Sequence, residues 1–294
     1  MERAVYHLPG LFEFYDFYRK FLPLYRTHPE YFYDWCQIGS LYGAPADCLW
    51  AGGRVSTGNA DPRQVLALTE EYGLSARLTF SNSLLCPEHL KDPKCNRLCA
   101  LFGAEPGNGV IVHSELLLAY LKEKYPNFYF VSSTTKVLTD FEDLAAETER
   151  PDFRYVVPDF RLNKAFDRLA GLKEKRKVEF LCNECCWPGC RERKACYENV
   201  SRKNLGERCP DHICAAPEGE KGYRFSAAMK NPAFIGIRDI RETYLPMGFS
   251  QFKIEGRGLG SAMLLEFILY YLTKPEYQLP LREEMYLDSM LDLF

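Results

Sequence analysis

The sequence lacks a large charge excess and a long apolar run, and these absences exclude several classes of protein. The formal net charge is −3, so the chain has no overall positive field of the kind that attracts nucleic acid or anionic lipid. No stretch reaches the roughly 18 consecutive apolar residues of a membrane span. The N-terminal sequence MERAVYHLPGLFEFYDFYRKF is not typical of a secretory signal peptide. We therefore expect a cytoplasmic protein with no membrane partner and no strong affinity for nucleic acid.

Histidine is scarce, and two common hydrolase motifs are missing. The chain has 5 histidines among 294 residues, and it contains neither a HExxH helix nor a GxSxG elbow. Covalent or metal-assisted hydrolysis needs a nucleophile and a base of this kind. A peptidase is therefore an alternative interpretation and not the leading one.

Cysteine, in contrast, is abundant, with 12 residues. In a reducing cytosol this number favours metal binding or redox chemistry over disulfides. Five cysteines lie in apolar or helical contexts and are expected to pack as small hydrophobic side chains: Cys36, Cys48, Cys86, Cys95 and Cys99. The rest fall in one polar stretch, CNECCWPGCRERKACYENVSRKNLGERCPDHIC: Cys182, Cys185, Cys186, Cys190, Cys196, Cys209 and Cys214.

Thiolates this close together are soft ligands that suit an iron–sulfur cluster or zinc. Cys186 and Cys190 can reach one centre from a single turn, and Cys209 and Cys214 can complete a set of four. The alternates are Cys182, Cys185 and Cys196. Basic residues nearby would offset the charge of four thiolates: Arg191, Arg193, Lys194, Arg202, Lys203 and Arg208. We expect a [4Fe–4S] cluster, with zinc as the alternative.

Short β-branched or aromatic runs alternate with helical patterns along most of the chain. This alternation is typical of βα units around a parallel sheet. Eight strands are predicted, at residues 47–50, 77–81, 109–113, 128–132, 153–157, 178–182, 234–237 and 251–255. Helices are predicted after Asp61-Pro62 and after Ser114, and a capping box is predicted at Thr139 and Glu142. Eight such units predict a single-domain α/β protein with a (β/α)8 TIM-barrel-like fold, and an open doubly wound sheet is the alternative.

The predicted barrel occupies residues 47–294, and residues 1–46 are predicted to form an aromatic-rich helical segment that covers it. About 50 residues separate the sixth predicted strand from the seventh, which is far more than an ordinary connection needs. We expect a cysteine-rich loop at 182–232, inserted after the sixth strand.

Polar residues follow the predicted strands, where TIM barrels place their chemistry. Glu184, Glu255 and Arg257 are the candidate catalytic residues, because each lies beside cationic or metal-binding neighbours where a carboxylate or guanidinium can position a substrate or move a proton. The candidate substrate-binding residues are Arg54, Asn82, His113 and Arg238.

Several blocks resemble one known family. VEFLCNECCWPGC, FIGIRDI and GFSQFKIEGR together resemble the collagenase-like U32 peptidases, and the remaining blocks resemble a bacterial branch of that family. The resemblance implies a TIM-barrel-like fold. For members that act in quinone biosynthesis or RNA modification, it also implies a four-cysteine [4Fe–4S] centre that supports oxygen-independent hydroxylation. By this resemblance Cys186 and Cys190 match the first ligand pair, Cys209 a later ligand, and Cys214 the fourth.

Three functions are therefore compatible with the sequence. The first is an iron–sulfur redox enzyme that hydroxylates or modifies a small molecule or RNA, with an electron donor as partner. The second is a U32-type peptidase with a peptide substrate. The third is a non-catalytic binding protein stabilised by zinc.

Overall fold

The core of the molecule is one sheet of parallel strands. The computed structural model describes residues 3–53, 58–184, 186–217 and 222–290, with the backbone alone for 287–290. The strands in this part of the chain are β1 (Ala4–Pro9), β2 (Cys36–Gly43), β3 (Ser75–Phe80), β4 (Gly109–Val112), β5 (Tyr129–Ser132), β6 (Phe153–Val156), β7 (Glu179–Leu181) and β8 (Gln251–Lys253). Most of their residues are buried, as expected for parallel strands covered by helices, and Arg154 on β6 is an exposed exception.

The strands follow one another around a nearly closed barrel. Their order is β6-β5-β4-β3-β2-β1-β8-β7, and every pairing is parallel. A parallel bridge between Val156 and Val178 joins β6 to the residue that precedes β7, so the two edges of the sheet meet. The chain thus has the (β/α)8 TIM-barrel-like fold that its sequence predicts.

Helices cover the outside of the barrel. They are α1 (Tyr15–Thr27), α2 (Pro62–Glu71), α3 (Pro93–Phe102), α4 (Glu115–Lys124), α5 (Phe141–Glu149), α6 (Phe166–Leu169), α7 (Arg193–Asn204), α8 (Phe225–Ala228), α9 (Ile237–Asp239), α10 (Ser261–Tyr271) and α11 (Gln278–Met290). A π-helical turn, Ile240–Tyr244, continues α9. None of the helices in the described part of the chain is both long and apolar enough to span a bilayer.

Local signals explain where several helices begin. The carboxylate of Asp61 accepts hydrogen bonds from the amides of Arg63 and Gln64 and so caps α2, as predicted. Ser114 likewise caps α4. The predicted capping box at Thr139 is wrong, because Asp140 is the residue that caps α5.

Apolar side chains pack in two layers. A large cluster lies between the strands and the helices. A smaller one fills the barrel interior and consists of Tyr42, Ile111, Val131, Val157 and Leu181. The barrel interior also holds charged side chains. The sequence of a strand therefore does not alternate simply between apolar and polar residues, as it does in a sheet with one exposed face.

Six of the predicted strands are confirmed, and two are wrong. Residues 47–50 form a turn that contains a positive φ of 56° at Asp47. At residues 234–237, only the amide of Ile235 bonds along the sheet, to the carbonyl of Cys182. Gly236 then starts α9, since its amide donates to the Asp239 carboxylate.

The two strands missing from the prediction lie in residues 1–46. That segment was expected to cover the barrel, but it supplies β1 and β2, which are central in the strand order. His7 and Ser40 face the interior on these strands, and the pairing of β1 with β2 shifts register at Gly39, so the apolar pattern is weak there. The cysteine-rich segment consequently follows the seventh strand and not the sixth.

Candidate active site at the carboxyl end of the barrel

A cavity of about 260 Å³ opens at the carboxyl ends of the strands. Its walls combine apolar residues from the barrel interior with polar residues that follow the strands. The lining residues are Tyr42, Gly53, Thr79, Ser81, Ile111, Ser133, Thr134, Thr135, Val157, Leu181, Tyr197, Lys253, Glu255, Gly256, Arg257, Gly258 and Leu259. Apolar walls with a few convergent polar groups are typical of a small-molecule site.

Two hydroxyl groups in this cavity lack hydrogen-bond partners. Thr79 Oγ1 on β3 and Ser81 Oγ just beyond it are both buried, and neither has a partner among the described residues. Alternate residues of a strand face the same side, so both belong to the inward row of β3. A buried hydroxyl without a partner costs free energy, and a bound polar ligand would remove that cost.

A charged network fills the barrel below the cavity. Glu179 on β7 accepts a 2.5 Å hydrogen bond from Arg77 on β3 and a 3.3 Å hydrogen bond from Lys253 on β8. His7 Nε2 lies 3.5 Å from the same carboxylate. The His7 ring also contacts the Ser40 hydroxyl at 2.8 Å and the Gln251 amide oxygen at 3.0 Å. We call Arg77, Glu179, Lys253 and His7 the barrel-core network.

Burial and neighbouring charges shift the pKa values in this network. Burial, reinforced by Arg77, lowers the pKa of His7 to about 3, so the imidazole is neutral at pH 7. Burial also lowers the pKa of Lys253 to about 8, although Glu179 opposes that shift. Burial would raise the pKa of Glu179, but Arg77 and Lys253 hold it well below its usual range. The carboxylate is therefore ionised.

A second, larger cavity of about 590 Å³ lies at the amino ends of the strands. It is lined by His7, Arg77 and Gln251, together with residues that begin the strands, such as Ser75 and Tyr129. The barrel-core network thus separates two cavities, with Lys253 facing the carboxyl end and His7 the amino end.

Glu255 and Arg257, predicted as catalytic, both line the carboxyl-end cavity. The backbone amide of Glu255 donates to the Asn183 side chain at 2.7 Å, which ties β8 to the end of β7. Arg257 Nε donates to Glu13 at 2.7 Å. A Cβ at Gly53 would lie 2.4 Å from Arg257 Nη1, so a larger residue there would displace the guanidinium group from its present position.

His113, predicted to bind substrate, contacts a hydroxyl group of the cavity wall. Its Nδ1 lies 2.8 Å from Thr135 Oγ1. Burial, reinforced by Lys136, lowers the pKa of His113 to about 4, so the ring is neutral at pH 7. An imidazole paired with a hydroxyl is an arrangement that can activate a nucleophile.

Glu184, the third predicted catalytic residue, belongs to a second buried ionic group beside the cavity. Its carboxylate lies 2.5 Å from Arg193 Nη2. Arg193 Nε is 3.5 Å from Asp159, which also accepts hydrogen bonds from Arg161. Burial would lower the pKa of Arg193, but the carboxylate of Glu184 raises it well above its usual value. We call Glu184, Arg193, Asp159 and Arg161 the mouth cluster.

The mouth cluster anchors the cysteine-rich segment. Arg193, which was expected to offset the charge of the thiolates, is the first residue of α7, and only 1% of its surface is exposed. Arg161 donates to the carbonyl of Cys190 at 2.8 Å. Tyr197, which lines the cavity, accepts a hydrogen bond from Arg193 at 3.1 Å. The ion pairs therefore hold this segment against the barrel.

The predicted metal ligands do not form one ligand set. Among the described residues, no three Cys, His, Asp or Glu side chains are close enough together to hold a metal ion. Cys182 is buried in the hydrophobic core, where its thiol contacts the carbonyl of Phe180, so it is not a ligand in this arrangement. Cys209 contacts Asn199 at 3.6 Å, and Cys214 is exposed.

Three further cysteines of the segment lie among the described residues. Cys186 lies close enough to Arg193 to contribute to its raised pKa, and Cys190 stands in the same relation to Arg161. Cys196 lies in α7 and is partly buried. Cys185 lies outside the described residues.

Asn82 and Arg238, also predicted to bind substrate, are not among the described residues that line the cavity. The Asn82 side chain donates to the carbonyls of Leu49 and Ser201, so it connects loops. Arg238 is 87% exposed in an ion pair with Glu242 on its own helix. Arg54 lies outside the described residues.

Comparison with known proteins identifies a structural neighbour. The U32 peptidase Mk0906 has a similar fold. The TM-score is 0.56 with 15% sequence identity, and the match covers 88% of this chain and 94% of the neighbour. No family model matches the sequence, and no curated protein matches it either. At this sequence identity the similarity supports a U32-like fold and does not assign an activity or a substrate to this chain.

Three residues that line the cavity were not predicted from the sequence: Thr79, Ser81 and Lys253. Lys253 was missed because it lies within a strand and not after it, and Thr79 was missed for the same reason. Ser81 directly follows β3, but it was counted within the predicted strand at 77–81 and Asn82 was predicted in its place. The inward register of β3 and β8, read as alternate residues, is the signal that would have found all three.

Proposed function

We propose that this protein is an enzyme that binds a small polar molecule in the carboxyl-end cavity of its barrel. The observation that carries the proposal is the pair of buried hydroxyls, Thr79 and Ser81, that have no partner among the described residues. A ligand whose polar groups bond to them would gain hydrogen bonds at no desolvation cost to the protein. The apolar walls would bury the rest of the molecule.

The charged residues of the cavity suggest what such an enzyme does. Lys253 and Glu255 both line the cavity, so an amine of lowered pKa and a carboxylate face one bound molecule. This combination suits proton transfer to and from a substrate. Arg257, held by Glu13, offers a fixed positive charge at the rim.

A ligand screen with matched variants tests the proposal. Classes of small polar metabolites would be tested for their ability to raise the melting temperature. We expect at least one class to do so, in proportion to its affinity. The double variant Thr79→Val with Ser81→Ala should lose most of that shift. Thr69→Val is the control, because this buried hydroxyl on α2 bonds to the carbonyl of Leu66 and lies outside the cavity. No shift from any class, or an equal shift in the double variant, would contradict the proposal.

We also propose that the cysteine-rich segment binds an iron–sulfur cluster and that the enzyme carries out oxygen-independent hydroxylation or a related modification. The support is the density of thiols in one segment and the position of Cys186 and Cys190 beside the guanidinium groups of the mouth cluster. Positive charge next to thiolates offsets the charge of such a cluster. Zinc in a closed site is the structural alternative.

Metal analysis of protein purified without oxygen tests this second proposal. Iron together with acid-labile sulfide, lost in a Cys186→Ala, Cys190→Ala variant but kept in Cys36→Ala, is the expected result. Cys36 is the control because its thiol is buried against the carbonyl of Tyr271 in the core. Zinc without sulfide would support the zinc alternative, and protein without metal would refute both.

Hydrolysis of a peptide-like substrate is the third candidate, and the contact between His113 and Thr135 favours it. If this pair acts as base and nucleophile, Thr135→Val and His113→Gln should each abolish cleavage of a peptide library. Thr148→Val should not, because that hydroxyl bonds to the carbonyl of Ala145. Activity would persist well below pH 6 and fall only as the pH approaches about 4, where His113 becomes protonated. Cleavage that survives in both variants would exclude the pair.

A further inference from the structure

Lys253 is the innermost amine of the carboxyl-end cavity. It lies on β8, is 5% exposed, and lines the cavity together with Tyr42. Its Nζ lies 3.6 Å from the centre of the Tyr42 ring and 3.3 Å from Glu179 Oε1. A lysine in this position meets any ligand that reaches the floor of the cavity.

The charge count of the barrel-core network disfavours a protonated Lys253. Arg77 and Lys253 are two potential cations that share one carboxylate, Glu179, and the shorter contact belongs to Arg77 at 2.5 Å. Arginine stays protonated in proteins, so it keeps the carboxylate occupied. When Lys253 loses its proton, the remaining Arg77 and Glu179 form a neutral pair in the buried interior. A buried site favours that neutral arrangement over an excess positive charge.

We propose that Lys253 is a catalytic amine that forms an imine with the aldehyde or ketone carbonyl of a molecule bound in the carboxyl-end cavity. This inference rests on the proposed function, because it requires a ligand in that cavity. It adds the class of substrate, a small carbonyl compound, and the covalent step that begins the reaction.

The step balances without an external oxidant or reductant. The ammonium group of Lys253 first gives its proton to solvent. The free amine then attacks the carbonyl carbon, a C–N bond forms, and the carbonyl π electrons pass to the oxygen, which takes a proton. One of the two protons on the attached nitrogen then passes to the new hydroxyl group, which leaves as water, and the product is a protonated imine with a C=N bond. Glu255, which lines the same cavity, is placed to exchange these protons, and the Thr79 and Ser81 hydroxyls can donate to the developing alkoxide.

Reductive trapping tests the inference directly. The full-length protein would be incubated with pyruvate or with glycolaldehyde, and sodium borohydride would reduce any imine to a stable secondary amine. Peptide mapping by mass spectrometry then locates the adduct. We expect Lys253 to be modified at least tenfold faster than Lys173, a surface lysine that is 78% exposed. Equal or slower modification of Lys253 with both probes would overturn the inference.

The pH profile and two variants provide independent readouts. Trapping at Lys253 should rise through pH 8 and then level off, because its pKa is lowered to about 8, whereas trapping at Lys173 should continue to rise toward pH 10. Lys253→Arg keeps a positive charge and Lys253→Met keeps the aliphatic stem, and neither can form the adduct. If either variant shows an unchanged number of adducts per chain, the modified amine is a different one and the inference fails.

The two proposals fail in distinguishable ways. A compound that stabilises the protein through Thr79 and Ser81 while neither carbonyl probe modifies Lys253 leaves the proposed function in place and removes the imine. Adduct formation at Lys253 that is abolished by Thr79→Val with Ser81→Ala supports both. Absence of stabilising ligands together with absence of trapping removes both.

Discussion

The barrel-core network and the mouth cluster are both buried groups of arginine and carboxylate, yet they differ in charge balance. The mouth cluster sets two guanidinium groups against two carboxylates, Glu184 and Asp159. The barrel-core network sets Arg77 and Lys253 against Glu179 alone. Balanced groups are typical of structural ion pairs, whereas an unbalanced one shifts the pKa of its weakest member. The balanced charges of the mouth cluster fit a role in holding the cysteine-rich segment, and the unbalanced barrel core is where we propose that the chemistry takes place.

The largest effect is expected from Glu179→Gln. The substitution preserves the shape of the side chain but leaves Arg77 buried without a counter-charge. Loss of one partner of a buried ion pair costs about 3–5 kcal/mol of unfolding free energy. Urea denaturation measures it, with Glu149→Gln as the control, because that exposed pair with Lys173 should contribute less than about 1 kcal/mol. Equal losses of unfolding free energy in the two variants would mean that the buried ion pair contributes no more to stability than the exposed one.

The pH dependence of stability is the next largest effect. Lys253 has a pKa of about 8 in the folded protein and about 10.4 when unfolded. Between these values the unfolded chain binds more protons, so the free energy of unfolding should rise with pH, by about 3 kcal/mol over the window.

Lys253→Met isolates this contribution. In this variant the free energy of unfolding should no longer rise between pH 8 and about 10.4 because of Lys253. The pH dependence that comes from all other groups should remain. Denaturant titrations of both proteins at several pH values provide the measurement. A parallel pH dependence in the two proteins would show that Lys253 keeps an ordinary pKa.

The mouth cluster should respond to Arg193→Met in a different way. Glu184 would lose its closest partner, but Asp159 would keep Arg161, so a loss of about 2–3 kcal/mol is expected. Limited proteolysis within residues 186–217 should also accelerate, because the ion pairs hold this segment. Arg193→Lys should also lose most of this stability and proteolytic resistance, since lysine cannot reproduce the forked contacts of a guanidinium group. Unchanged proteolysis would show that the segment is held by other contacts.

The smallest effect is expected from Cys214→Ser. This thiol is exposed, and surface substitutions usually change stability by less than about 0.5 kcal/mol. A larger loss, accompanied by loss of bound iron or zinc, would instead identify Cys214 as a ligand. The same measurement on Cys209→Ser, whose thiol contacts Asn199, provides the comparison.

The sequence predicts the barrel because strand and helix signals alternate regularly from β3 onward. It fails at β1 and β2 for a physical reason: their inward residues include His7, Ser40 and Gly39, so neither strand shows a clean apolar period. Glu255 and Arg257 at the rim of the cavity could be predicted, because they come just after β8 in the sequence. Arg193 could not be predicted, because its burial depends on carboxylates from distant parts of the chain, Glu184 and Asp159.

The pairing of β1 with β8 also constrains the order of folding. His7 on β1 contacts Gln251 on β8, and the two strands pair in parallel although 244 residues separate these side chains along the chain. During synthesis β1 therefore waits for almost the whole chain before its second neighbour emerges, and contacts of such long sequence separation form slowly. The carboxyl-end cavity around Lys253 can assemble only after β1 and β8 have paired, so partly folded chains should lack this cavity.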